Sequence, residues 1–324
     1  MNSNLSSELY TDKMAMEPTR KGFGEGLVEA GEKDESIVAL SADLVESTQV
    51  EPFAKAFPDR FIEMGVAEQN LVTVASGMSA VGKKPFVTSY ASFSPGRNWE
   101  QIRTTICLND RPVKVVGCHS GVSVGPDGAT HQMLEDIALM RSLPNMIVVA
   151  PCDSNEAKKA TIELAKLDKP SYLRLTREKT AVITTEESAF KIGKANVMLE
   201  GNNLTIIACG PLVYEALKAA KELEKSGLSV EVINSHTIKP LDEKTIISSA
   251  KKTSLVFTLE EAQSVGGLGG AVAELLSEQL PTKVVRLGVQ NRFGQSGTID
   301  ELWKEYGLDS ASVVKSINKT IKGR

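Results

Sequence analysis

Aromatic residues make up only 5% of this 324-residue chain, and histidine occurs three times. Cysteine is nearly as scarce: the four residues Cys107, Cys118, Cys152 and Cys209 lie far apart, with no CxxC spacing. That pattern excludes a disulfide scaffold or a zinc ribbon, and each cysteine sits in an apolar run, so all four read as reduced core residues. Neither sign of charge dominates. The 37 basic residues are spread among 41 acidic ones, for a net charge of −4, which leaves no basic stripe for nucleic acid. No segment approaches the roughly 18 unbroken apolar residues of a membrane span. The opening MNSNLSSELYTDKMAMEPTRKG has no central apolar stretch of signal-peptide kind, so the cytoplasm is the expected compartment and residues 1–17 read as a flexible segment.

What is present is an ordinary globular composition, 41% hydrophobic and 24% charged, at a length that favours two domains. Short β-branched runs alternate with longer helical ones over residues 18–180. Strands are predicted at 37–40, 85–89, 113–118, 146–150 and 172–175, and helices at 21–30, 67–81, 99–108, 132–142 and 155–167. Such alternation implies βαβ units and a mainly parallel sheet with helices on both faces. The polar stretch 181–193 reads as a linker. A second, smaller mixed α/β domain follows over 194–324, with strands at 204–208, 229–233, 255–259 and 283–287 and helices at 212–225 and 271–278.

Several common chemistries are missing. There is no GxxxxGK[ST] loop, no HExxH pair and no GxSxG elbow, and GGLGGAV at 266–272 fails the GxGxxG spacing because Val272 stands where the third glycine belongs. The histidines are more informative. His119 ends a predicted strand, and Asp127 and His131 follow in the same glycine-rich loop, where ligands bind in open α/β sheets. His236, in NSHTIKPLD, has no such company and reads as structural. Tyr90, Phe93 and Trp99, in YASFSPGRNW, either fill core or offer a ring that stacks a planar ligand.

Glu68, in EMGVAEQNLVTVASG, is a carboxylate in an otherwise apolar helix, with Val66, Leu71 and Val72 around it. Near a first turn the helix dipole favours it by roughly 0.3–1 kcal/mol, so it is either a capping charge or a buried proton donor.

Seven stretches, SADLVES, GVAEQN, YASFSPGRNWEQIR, HSGVSVGPDGATHQMLEDIALMR, CDSNEA, HTIKPLD and NRFGQSG, resemble in order the C-terminal half of thiamine-diphosphate-dependent transketolases. The resemblance implies a pyrimidine-binding domain followed by a transketolase C-terminal domain. It further implies that Glu68 gives a proton to the pyrimidine ring of thiamine diphosphate and that Phe93 stacks on that ring, with Tyr90 and Asp43 on the cofactor side. By the same resemblance Arg20, Ser47 and Arg177 bind sugar phosphate, while His119, Asp127 and His131 hold substrate oxygens. The reaction implied is transfer of a two-carbon ketol unit between sugar phosphates of the pentose phosphate pathway.

Two departures stand out. Nothing before Arg20 resembles the family's diphosphate-binding half, so the expectation is a separate N-terminal subunit that holds the diphosphate and its Mg²⁺ or Ca²⁺, in an α2β2 heterotetramer. Gly96 stands where the family often has a second aromatic. Alternatives are a 1-deoxyxylulose-5-phosphate synthase fragment, a 2-oxoacid dehydrogenase β subunit and, furthest from the motifs, a non-catalytic regulatory paralogue.

Overall fold

The structure is a computed structural model that describes residues 4–323. Its first domain is built on a seven-stranded sheet ordered Thr237–Lys239, Ile147–Val149, Ser171–Arg174, Lys114–Cys118, Lys84–Tyr90, Ile37–Ser41, Phe61–Glu63. Every pairing is parallel except that of Thr237–Lys239, a strand contributed by the second domain. Central strands such as Ile37–Ser41 and Lys114–Cys118 are buried on both faces, which is why they read as mainly apolar runs with no polar alternation.

The pleat divides these residues between two cores. Ile37 and Ala39 pack with Phe23, Leu27, Ala157 and Ala160 of helices Thr19–Lys33 and Ser154–Lys166 on one face. Val38 and Leu40 pack with Leu71, Val72 and Ala75 of helix Glu68–Ala80 on the other, in a core that continues into the second domain through Ile207, Ile233 and Val256. The first helix pair lies close because Gly22 and Gly26 have no side chain. A Cβ on Gly22 would meet the Ser154 carbonyl oxygen at 1.8 Å, and one on Gly26 the Lys158 carbonyl oxygen at 2.7 Å.

The second domain has a five-stranded sheet ordered Lys283–Val289, Leu255–Gln263, Leu204–Ala208, Val230–Asn234, Asn196–Leu199, with the last strand antiparallel. Among the described residues no helix is long and apolar enough to cross a membrane. All four cysteines are buried and none is in a disulfide.

Several expectations are corrected. The described part of the segment read as flexible is anchored: Leu5 and Leu9 are buried in the second domain's core, and Met16–Glu17 pairs with Thr180–Ala181. The 181–193 stretch begins buried at Ala181, Val182 and Ile183, three apolar residues inside a segment whose polar average masked them. Strands Phe61–Glu63, Asn196–Leu199 and Thr237–Lys239 escape sequence reading because each is short and lies at a sheet edge. The helix expected at 132–142 spans only Asp136–Arg141, because Met133 is held in a bridge to Ser120. That expected at 99–108 widens after Gln101 into a π-helical stretch, Ile102–Cys107.

Candidate active site

Parallel strands bring their carboxyl ends to one edge of the sheet, and the sequence candidates gather there. Strand Lys84–Tyr90 delivers Tyr90 and, just beyond it, Phe93. Strand Lys114–Cys118 delivers His119, which takes a positive φ of 56°. A histidine in the left-handed region is an observed strain of the kind that gathers at functional sites. The rings form one cluster. Tyr90 stacks on His119 at 3.8 Å and on Phe93 at 5.9 Å, and His131 meets the Phe93 edge at 5.5 Å.

Glu68 reaches this cluster through an arginine. It opens helix Glu68–Ala80, whose N-cap Ala67 offers no side-chain acceptor, so a carboxylate in the first turn complements the exposed amides. The side chain is 4% exposed, and Arg97 Nη1 lies 3.3 and 3.4 Å from its two oxygens. The same guanidinium sits over the Phe93 ring, 4.5 Å from its centroid. Asn98 Nδ2 donates to the Glu68 carbonyl oxygen at 2.8 Å and to Ser94 Oγ at 3.1 Å, which ties the helix start to the 94–98 turn. Of the three apolar residues that the sequence places around Glu68, two enclose it and one does not. Leu71 and Val72 are buried, whereas Val66 is 67% exposed because it precedes the helix and points away from the core.

Cationic residues flank the rings. Arg20 Nη1 donates to the Ser47 carbonyl oxygen, and Arg177 Nη1 donates to Val124 O at 2.8 Å and lies 3.7 Å from Asp127 Oδ1. Burial, then the charges of Arg20, Arg177 and His131, push the His119 pKa down to about 3. The imidazole is therefore neutral at physiological pH, and its buried Nδ1 has no hydrogen-bond partner among the described residues. Thr130 Oγ1 lies 2.9 Å from His131 Nδ1. Asp43 stands apart. Its side chain is exposed at a turn, where its N–H donates to Glu63 Oε1 at 2.7 Å. His236 is away from the cluster, buried with Nδ1 3.0 Å from Thr237 Oγ1 and its ring 4.3 Å from Phe190.

Sequence reasoning missed the polar framework behind the His119–His131 loop. Asp136 is fully buried and accepts from Tyr172 Oη at 2.7 Å and Arg174 Nε at 2.8 Å, while Arg174 Nη2 donates to the Glu261 carbonyl oxygen at 2.8 Å. Burial and Asp136 together push the Tyr172 hydroxyl well up, and the carboxylate beside Arg174 holds that guanidinium in its charged form. Asp136→Ala is expected to cost about 3–5 kcal/mol of unfolding free energy in urea titrations, because it strands a buried guanidinium. A loss under about 1 kcal/mol would show the pair to be dispensable. A signal was available in VFTLEEAQ: Glu260 and Glu261 interrupt an apolar strand just as Glu68 interrupts an apolar helix.

The aromatic face with a planar cation already laid on it, the buried carboxylate beside it and the unpartnered imidazole nitrogen fit an aminopyrimidine ring in polarity. Fold and site together define a two-domain α/β chain of the pyrimidine-binding class, with the site at the carboxyl edge of the first sheet. The family model of the transketolase pyrimidine-binding domain matches residues 16–182, and that of the transketolase C-terminal domain matches residues 193–313. The chain belongs to the transketolase family, whose members generally use thiamine diphosphate, and is a transferase-type enzyme subunit.

It is 46% identical to the putative transketolase C-terminal section of Methanocaldococcus jannaschii, over 94% of this chain and 96% of that one. It is 40% identical to a 6-deoxy-6-sulfo-D-fructose transketolase subunit of Clostridium sp. strain MSTE9, over 93% of each. The solved structure of a split-gene transketolase, an inactive beta4 tetramer, superposes with a TM-score of 0.87 at 43% identity, covering 93% of this chain and 97% of that one.

Proposed function

We propose that this chain is the C-terminal subunit of a two-subunit, thiamine-diphosphate-dependent transketolase in the cytoplasm. It moves a two-carbon ketol unit from a ketose phosphate to an aldose phosphate, as in the pentose phosphate pathway, within an α2β2 heterotetramer. The observation that carries this reading is the convergence of Glu68, Phe93, Tyr90, His119 and His131 in one cluster, with Arg20 and Arg177 on its flank. The separate N-terminal partner, which holds the diphosphate and Mg²⁺ or Ca²⁺, is supported by relatives of matching extent that are named a C-terminal section and a subunit. Uncovered apolar side chains agree with it: Val66 beside Glu68 is 67% exposed, and Phe293 in NRFGQSG is 77% exposed.

When bound, thiamine diphosphate supplies the electron sink that lets a carbon–carbon bond next to a carbonyl break. This chain's residues do the rest. Phe93 would take the pyrimidine face and Glu68 would hold a proton at the pyrimidine nitrogen, with Tyr90 stacked beside Phe93; Asp43, implied by the resemblance, stands outside this cluster. Arg20, Arg177 and the Ser47 turn grip the sugar phosphate, Arg177 and Arg20 by charge-assisted hydrogen bonds. His119 is neutral and therefore able either to accept from or to donate to a substrate hydroxyl. His131 and Asp127 sit where they can hold the remaining oxygens.

The test mixes this chain with a candidate partner, thiamine diphosphate and Mg²⁺, and offers xylulose 5-phosphate with ribose 5-phosphate. Ketol transfer supports the proposal. Turnover of pyruvate with glyceraldehyde 3-phosphate and release of CO₂ would instead establish the deoxyxylulose-phosphate synthase reading.

A further inference from the structure

The loop from His119 to His131 is held from outside its own domain. Strand Leu255–Gln263 of the second domain is buried almost throughout and carries Glu261, which is 1% exposed. Its Oε1 accepts the Ser123 N–H at 2.5 Å. Gly121, at φ +81°, comes so near that a Cβ there would stand 2.5 Å from the Glu261 carboxyl carbon, so only glycine lets the loop settle on this group. The bond from Arg174 to the Glu261 carbonyl oxygen fixes the strand that presents the carboxyl. Gln132 Nε2 bridges the same loop to the second domain, donating to Val122 O at 3.0 Å, Gly125 O at 3.2 Å and Gln295 O at 2.9 Å.

We propose that Glu261 is a positioning residue: by accepting the Ser123 N–H, it sets where His119, Asp127 and His131 stand when substrate is held. The second domain thereby shapes substrate binding in the first. This rests on the reading that the loop handles the sugar phosphate. A buried backbone N–H needs an acceptor at a defined place, and a displacement of about 1 Å in groups that hold substrate costs heavily in rate.

Two variants separate positioning from charge. Glu261→Gln keeps the length of the side chain and one acceptor oxygen but loses the charge. Glu261→Asp keeps the charge but withdraws the acceptor by roughly one bond length, about 1.5 Å. The readout is the rate of carbethoxylation of each of the three histidines, followed by mass spectrometry on the full chain. His236, fully buried away from the loop, is the internal reference.

The expected result is that His119 reacts about tenfold faster in Glu261→Asp and stays within about twofold in Glu261→Gln, with His236 unchanged in both. In the complex with the diphosphate-binding subunit, Glu261→Asp should raise KM for the sugar phosphate by about tenfold without altering the affinity for thiamine diphosphate. The reverse order, with Asp like the parent and Gln defective, would assign Glu261 to charge balance with Arg174 and overturn the proposal. Equal His119 rates in all three proteins, or His236 rising together with His119, would overturn it as well. Absence of sugar-phosphate turnover in the parent complex would count against the transketolase reading, and the histidine rates would still decide the role of Glu261 in placing the loop.

Discussion

Glu68→Gln is expected to lower ketol-transfer turnover by about 10²- to 10⁴-fold, the range that general acid–base groups contribute. Glutamine keeps the size of the side chain, so the contacts with Arg97 and the packing on Leu71 and Val72 survive in shape. What it loses is the acidic proton that a carboxyl group can give and take back. The helix-capping reading of Glu68 predicts a different outcome: glutamine would cost only the dipole term, roughly 0.3–1 kcal/mol of stability, and leave turnover nearly intact. Steady-state rates of the reconstituted enzyme, with thermal melting of the isolated chain as control, separate the two. Melting unchanged within a few degrees and turnover largely lost favours the proton role, whereas unchanged turnover sinks the mechanism proposed here.

The second large effect concerns the partner. The chain alone, supplied with thiamine diphosphate and Mg²⁺, is expected to transfer no ketol units, and titration with the diphosphate-binding subunit should restore activity to a plateau at one partner per chain. The physical reason is that a ring held only by stacking and one carboxylate has no purchase on its diphosphate. That moiety needs a divalent cation with carboxylate or amide oxygens around it. The relative solved as a beta4 tetramer is inactive in that form, which accords with this expectation. Full activity of the isolated chain would refute the two-subunit proposal.

The order and kind of the central elements were legible along the chain. Strands such as Ile37–Ser41, buried on both faces, write themselves as nearly continuous apolar runs, and the helices between them are long enough to show their period. Glu68, His119 and His131 were legible as anomalies, because a carboxylate in an apolar helix and two of three histidines in one loop are unusual at the level of composition. The ring contacts of the two histidines with Tyr90 and Phe93 were not, since sequence separation does not give the distance between side chains at neighbouring strand ends. Arg97 was hidden for a related reason. An arginine in a polar turn looks like solvated surface until the fold lays it between Phe93 and Glu68.

The sequence by itself determined two α/β units, the motifs of the family, buried cysteines free of disulfides and the strand-end placement of the candidate residues. Local propensity and apolar periodicity are properties of neighbouring residues, so they survive without coordinates. Only the tertiary structure decided that residues 4–17 are anchored, that Thr237–Lys239 crosses to complete the first sheet, and that Glu261 of the second domain holds the loop of His119 and His131. Each is a contact between segments far apart in the chain, made by short edges or single buried polar groups. Such groups leave no periodic trace, because what specifies them is the partner that the fold brings to them.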